Sequence, residues 1–174
     1  MTQPMITVTA LLLLLVPAVV SDLRYRRIPN LLVFPAWALA LVLGVVVNGV
    51  TGGLDALTGM GSALLVGLPF WLVGWIGGGD VKLVAAIGAL VGPELVWPIL
   101  AAIGISGLFL ALGALLHEGI LGSAVRRYWA SLSLSMVSRR GVYVRPDEAE
   151  QDVRLPYALA IAVGTIATYG WIAF

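Results

Sequence analysis

Five stretches of this chain are apolar for nearly as long as a lipid bilayer is thick, and that narrows the possible folds more than any other feature. A bilayer core needs about 20 apolar residues per helix. Residues 5–20, 31–50, 57–76, 96–116 and 155–174 meet or approach that length. Backbone in hydrocarbon must satisfy its own hydrogen bonds, so these spans are expected to be α-helices. Composition agrees: the chain is 60% hydrophobic and 11% charged, against about 25% charged residues in soluble domains. The net charge of +1 supplies no field for nucleic acid. With no cysteine, disulfides and thiolate metal sites are excluded. A single histidine, His117, argues against a histidine-based zinc site. No metal or cofactor is expected.

A sixth apolar segment, Val81–Val91, is short and stops at Gly92-Pro93, where Pro93 can open the next helix. The basic residues decide whether it crosses. All 10 Lys and Arg lie in three places. Arg24, Arg26 and Arg27 follow the first span. Lys82 lies between the third and the fourth. Arg126, Arg127, Arg139, Arg140, Arg145 and Arg154 lie between the last two. Six crossings put all three groups on the cytoplasmic side, as the positive-inside rule requires. A re-entrant fourth segment would leave the six-arginine connection outside. The loops at 49–55 and 92–94 carry no Lys or Arg. The expected fold is therefore all-α, one membrane-embedded domain of six transmembrane helices, with both termini outside the cytoplasm. The fourth helix, 80–95, is short enough to imply local thinning or burial in protein. At the N-terminus the charges follow the apolar run, unlike a signal peptide, so a retained first span is expected.

The connection 117–154 is the only long one. Ile120, Leu121, Ala124, Val125, Tyr128, Trp129 and Leu132 fall at helical spacing, with Arg126 and Arg127 on the other side. That pattern suits an amphipathic helix lying in the interface. The polar "RPDEAEQDVR" beyond it is expected to be a loop. A tether and a substrate-docking element are both open readings of the connection.

Two carboxylates stand out. Asp22 ends the first span in "VVSDLRYRRIPNLL", and Asp80 opens the fourth in "GWIGGGDVKLV". The topology puts both on one membrane side at similar depth. Two acids that meet there can form an aspartic dyad: one, ionised, takes a proton from water, while the other, protonated, polarises a carbonyl. The alternatives are a helix-capping role for Asp80 and a transport site, since intramembrane acids also serve there. Gly77, Gly78 and Gly79 read either as a flexible turn or as an edge against which a substrate lies extended.

The remaining polar residues have simpler readings. Pro29 starts the second helix, and Asn30 caps it or shapes the site. Lys82 lies two residues past Asp80 and does not share its helix face. It acts on the site's potential, holds a substrate carboxylate or snorkels to the interface. Arg24, Arg26 and Arg27 fix orientation and bind lipid headgroups. Tyr157 and Trp171 read as belt aromatics at opposite ends of the last helix. Asp55 and Glu94 fall on the far side, away from any chemistry. His117 and Glu118 read as interfacial.

Together, "SDLRYRRIPN" and "GGGDVKL" resemble the type IV prepilin peptidases, membrane aspartic proteases of the GxGD class. The family's first motif falls on Asp22, Arg24, Arg27, Ile28, Pro29 and Asn30. Its G-x-G-D-x-K motif falls on Gly77, Gly79, Asp80 and Lys82. "RLPYALAIAVG" at 154–164 is similar to the family's last helix. The resemblance implies Asp22 and Asp80 as catalytic residues. It implies a prepilin or pseudopilin substrate, with a short basic leader and a hydrophobic helix, cut at the cytoplasmic face of the prokaryotic inner membrane. Membrane lipids and contacts with pilus-assembly machinery complete the implied partners. Larger relatives also methylate the new amino terminus and often carry paired cysteines. This chain is similar to the short, peptidase-only branch of tight-adherence (Flp) pilus systems, and no methyltransferase activity is expected. Two other functions fit the acids in principle, a small ion- or proton-coupled transporter and a non-catalytic pilus-assembly component. A transporter usually binds at mid-membrane between inverted repeats, neither of which this sequence shows.

Overall fold

A computed structural model describes residues 2–117 and 155–173, together with 119, 122, 126 and 129. The described residues form four helices: α1 (Thr2–Tyr25), α2 (Asn30–Leu72), α3 (Gly78–His117) and α4 (Tyr157–Ala173). The first three are each long and apolar enough to cross a membrane. The chain divides into two compact units, Met1–Gly107 with Pro156–Phe174, and Leu108–Leu155. The first holds the core and every candidate site residue. The amphipathic helix and polar loop expected at 117–154 lie almost wholly outside the described residues.

The pattern of burial follows helical spacing. On α1, Leu11, Leu14, Leu15 and Ala18 are buried, an i, i+3, i+4, i+7 stripe. Asp22 continues the stripe one turn on and is only 8% exposed. Leu13, Val16, Val20 and Leu23 on the other faces are exposed, as lipid-facing residues of a membrane helix are. On α4 the inward stripe is Ala158, Ile161, Ala162, Thr165 and Tyr169.

Glycine breaks divide both long helices. Within α2, Gly49 has φ 67° and ψ −151°, a conformation open to glycine and strained for other residues. The chain reverses there. A Cβ on Gly52 would collide with the carbonyl oxygen of Gly44, whereas eight residues of straight helix would hold the two about 12 Å apart. Within α3, Gly92 has φ 80°, and Pro93 begins the next stretch. Asp80 and Gly104 line one cavity, although a straight helix would separate them by about 36 Å. The chain therefore turns back at Gly92 as well.

Several boundaries differ from the expected ones. Helix resumes at residue 50 instead of 57 and ends at Leu72 instead of 76. The Gly-rich "NGVTGG" is helix after a one-residue break, because its glycines let the two arms touch. The stretch before Gly92 starts at Gly78. From Val81 to Ala89 it is buried on every side except at Lys82. A helix that is apolar all round belongs inside protein, which accounts for its shortness. Its neighbour in α2 comes very close: a Cβ on Gly59 would collide with the carbonyl oxygen of Gly88, and one on Gly88 with that of Gly59. Small residues at such crossings drive helix association where lipid offers no hydrophobic force.

Candidate active site

Segments remote in sequence meet at one end of the first unit: the end of α1, the turn into α2, and the starts of α3 and α4. Asp22 arrives on the buried stripe of α1. Its Oδ2 accepts the backbone N–H of Ala158, 3.1 Å away. The first N–H groups of a helix lack partners within it, and a carboxylate there also meets the positive end of the helix dipole. Asp22 thus caps α4, 136 residues further along the chain.

The turn after α1 is held by its own hydrogen bonds. Arg26, at φ 52°, donates its N–H to the Asp22 carbonyl at 2.8 Å. Ser21 Oγ donates to the Arg27 carbonyl at 2.8 Å. Pro29 is extended (φ −70°, ψ 140°) and stands before the first residue of α2. Its carbonyl accepts the N–H of Leu32 at 3.0 Å.

Asp80 lies in the first turn of α3. The Gly77 carbonyl accepts the Val81 N–H at 3.2 Å, so Gly77 is the N-cap and Asp80 the third helical residue. The Asp80 carboxylate bonds back to the Gly77 backbone, the reach of a capping box. A Cβ on Gly77 would lie 2.8 Å from Asp80 Oδ2, so the missing side chain makes room for the carboxylate. Gly78 packs under the Trp71 indole, and a Cβ on Gly79 would be 3.1 Å from Ile28 Cβ. The expectation of a turn or extended edge over all three glycines is corrected: Gly78 and Gly79 are helical. Capping by Asp80 offsets their poor helix propensity.

The two motifs touch directly. Gly79 packs against Ile28. Lys82 Nζ donates to Asn30 Oδ1 at 3.0 Å and lies 5.3 Å from the centre of the Phe34 ring. Trp37 Nε1 donates to the Lys82 carbonyl at 3.0 Å. Phe34 and Trp37 meet edge to face at 5.5 Å. Lys82 therefore ties α3 to the start of α2. Lys82→Met and Asn30→Ala are each expected to lower stability by about 0.5–1.5 kcal/mol. The double variant should show a coupling of about 0.5–1 kcal/mol in thermal unfolding in detergent. Strictly additive losses would remove this tie.

Asp22 and Asp80 reach this end from different helices, Asp22 beside Ala158 and Asp80 in the first turn of α3. Asp80 also forms part of the wall of a cavity of about 440 Å³ shared with Tyr157. Tyr157 is half-buried beside both acids, since its neighbour Ala158 holds Asp22. The sequence carries one signal for this: Tyr157 opens the last helix at the end where α1 closes and α3 begins. Asp55 and Glu94 line a different cavity, of about 340 Å³, with Thr7, Asn48 and Gly92. Neither Asp22 nor Asp80 reaches it. Among the described residues, no three His, Cys, Asp or Glu side chains cluster as metal ligands do.

The arrangement offers two carboxylates at one end of the first unit, one of them facing an apolar cavity. The sequence model of the type IV leader peptidase family matches residues 9–123. That match takes in both acids and both motifs and stops short of α4. No curated protein and no solved structure matches the chain.

Proposed function

The chain belongs to the type IV leader peptidase family, and from that premise we propose that Asp22 and Asp80 are the catalytic pair of this prepilin peptidase. Membership makes it a hydrolase and a helical membrane protein that removes leader peptides from prepilins. The observation that carries the dyad is that Asp22, which holds the N–H of Ala158, and Asp80, which shares a cavity wall with Tyr157, stand at the same meeting point of helix ends.

The two carboxyl groups share one proton. The ionised one takes a proton from water as the water oxygen adds to the scissile carbonyl. The protonated one donates a hydrogen bond to that carbonyl oxygen as it becomes an oxyanion. Collapse of the tetrahedral adduct breaks the C–N bond. The proton then passes to the departing amine, which becomes the amino terminus of the mature pilin. The capping bonds to Ala158 and Gly77 use some of the acids' lone pairs and fix both side chains without a further ligand. Purified protein in lipid vesicles should cut a peptide with a basic leader and a hydrophobic segment at one bond between them, as product masses would show. Cleavage scattered along the peptide would contradict a leader peptidase.

The reversals at Gly49 and Gly92 divide the four helices into six stretches, and we read each as one crossing. Asp22, Asn30, Asp80 and Tyr157 then face the cytoplasm, while Asp55, Glu94 and both termini lie outside. The family match runs from the first unit into the second, which supports one peptidase domain. Because the chain has no cysteine, introduced cysteines report topology cleanly. In intact cells, an impermeant maleimide should label Val50→Cys and Glu94→Cys. It should label Tyr25→Cys and Val73→Cys only after the membrane is opened. Labelling of all four in intact cells, or of none, would contradict six crossings.

A further inference from the structure

We propose that the cavity beside Asp80 is a specificity pocket, which receives an apolar side chain of the prepilin next to the scissile bond and whose size Gly104 sets. The proposal rests on the reading that Asp80 is catalytic. The cavity has a volume of about 440 Å³, within the range of about 300–1,000 Å³ typical of ligand pockets. Phe70, Trp75, Val84, Leu100, Ile103 and Gly104 contribute its apolar lining. Phe70 and Trp75 are paired at 5.8 Å between ring centres, so part of the wall is aromatic. Asp80 is its acidic side chain, and Tyr157 adds a hydroxyl-bearing ring.

The occupant follows from this chemistry. A bond cut by Asp80 must lie against the carboxylate, so the side chain flanking that bond stands at the cavity. The lining offers it no second charge, hence an apolar group is favoured and a charged one is excluded by desolvation. The substrates of a leader peptidase continue from the leader into a hydrophobic segment, which supplies such a residue.

Gly104 stands at the cavity's edge and is exposed. It lines the cavity, and a Cβ built on it would meet no atom within 4 Å. A side chain at this position therefore projects into open space without disturbing the helix packing. By contrast, Gly67 is the other glycine on the wall, and its Cβ would strike Val81 at 2.9 Å; that position is fixed by packing. Of the two, only Gly104 can be enlarged without displacing a packed neighbour.

The test uses prepilin peptides that differ only in the residue flanking the cut, Ala, Leu or Phe, with purified protein in lipid vesicles. Wild type should cleave the Leu and Phe peptides with kcat/KM about tenfold or more above the Ala peptide, the discrimination apolar pockets reach. Gly104→Leu should lose at least about tenfold on Leu and Phe while keeping the Ala peptide within about twofold. Leu100→Ala, which enlarges the pocket, should shift preference towards Phe, so the proposal does not depend on one variant folding. Gly61→Leu is the control: its Cβ also meets nothing within 4 Å, it lies off the cavity, and it should change no preference. An equal loss on all three peptides in folded Gly104→Leu, together with an unchanged preference in Leu100→Ala, would overturn the pocket while leaving the peptidase intact. If wild type cleaved none of the peptides, the catalytic reading itself would fail.

Discussion

Replacing Asp22 or Asp80 by asparagine is expected to stop leader removal while leaving the bundle folded. Asparagine keeps a side-chain carbonyl oxygen. In Asp22→Asn that oxygen can still accept the Ala158 N–H, which the native carboxylate accepts at 3.1 Å. In Asp80→Asn it can still reach the Gly77 backbone. What each variant loses is the ability to carry or release a proton. Each acid is assigned a separate proton-handling role in the same transition state. Its removal should therefore slow cleavage by roughly 10³–10⁴-fold, towards the upper end of what general acid–base groups contribute. Co-expression with a prepilin reads this directly, because unprocessed pilin keeps its leader and migrates as the larger form. Thermal unfolding in detergent should change by less than about 1 kcal/mol, separating chemistry from stability. Asp22→Ala is the informative contrast. It also removes the cap on α4, so it should lose stability by about 0.5–2 kcal/mol as well as activity.

Gly88→Ala is expected to be among the most damaging single-methyl changes in the core. The added Cβ would strike the Gly59 carbonyl and stand 3.0 Å from Ala63 Cβ. The nearest obstacle is backbone, which cannot rotate away as a side chain could. The two helices must separate, and the buried stretch 81–89 loses its closest neighbour. Overpacking of this kind costs about 1–3 kcal/mol. Gly61→Ala makes the same chemical change in the same helix pair, where a Cβ meets nothing within 4 Å. There the better helix propensity of alanine should raise stability by about 0.5–1 kcal/mol. Opposite signs for the two substitutions are the expected result in thermal unfolding. Because α3 carries Asp80, Gly88→Ala should also depress cleavage, in proportion to the fraction unfolded.

Much of the site is legible in the sequence. The charge distribution alone brings Asp22 and Asp80 to one end of the helices. The segment after Asp80 is short enough to imply shielding by protein, and residues 81 and 83–89 are buried. What is not legible depends on contacts between distant segments. Local sequence reads "NGVTGG" as a loop, because glycine and asparagine favour turns. Only the approach of Gly44 to Gly52 shows that one residue, Gly49, suffices for the reversal. Lys82 has several readings until Asn30 and Trp37 are seen against it. Tyr157 reads as a belt aromatic because nothing within α4 reveals that Asp22 caps the next residue. The glycine run misleads for a related reason: its packing partners, Trp71, Ile28 and the Asp80 carboxylate, come from outside the run or fold back onto it.

The central claim is that Asp22 and Asp80 act as one unit on one bond. The most direct measurement compares single-turnover cleavage of a prepilin in lipid vesicles by Asp22→Asn, Asp80→Asn and the double variant. Groups that work together in one step are strongly non-additive. The dyad predicts that all three variants fall to the same residual rate, the second substitution adding nothing to the first. A double variant slower than either single by the product of their separate effects would mean two independent contributions. Wild-type cleavage by either single variant would show that the pair is not the catalytic centre.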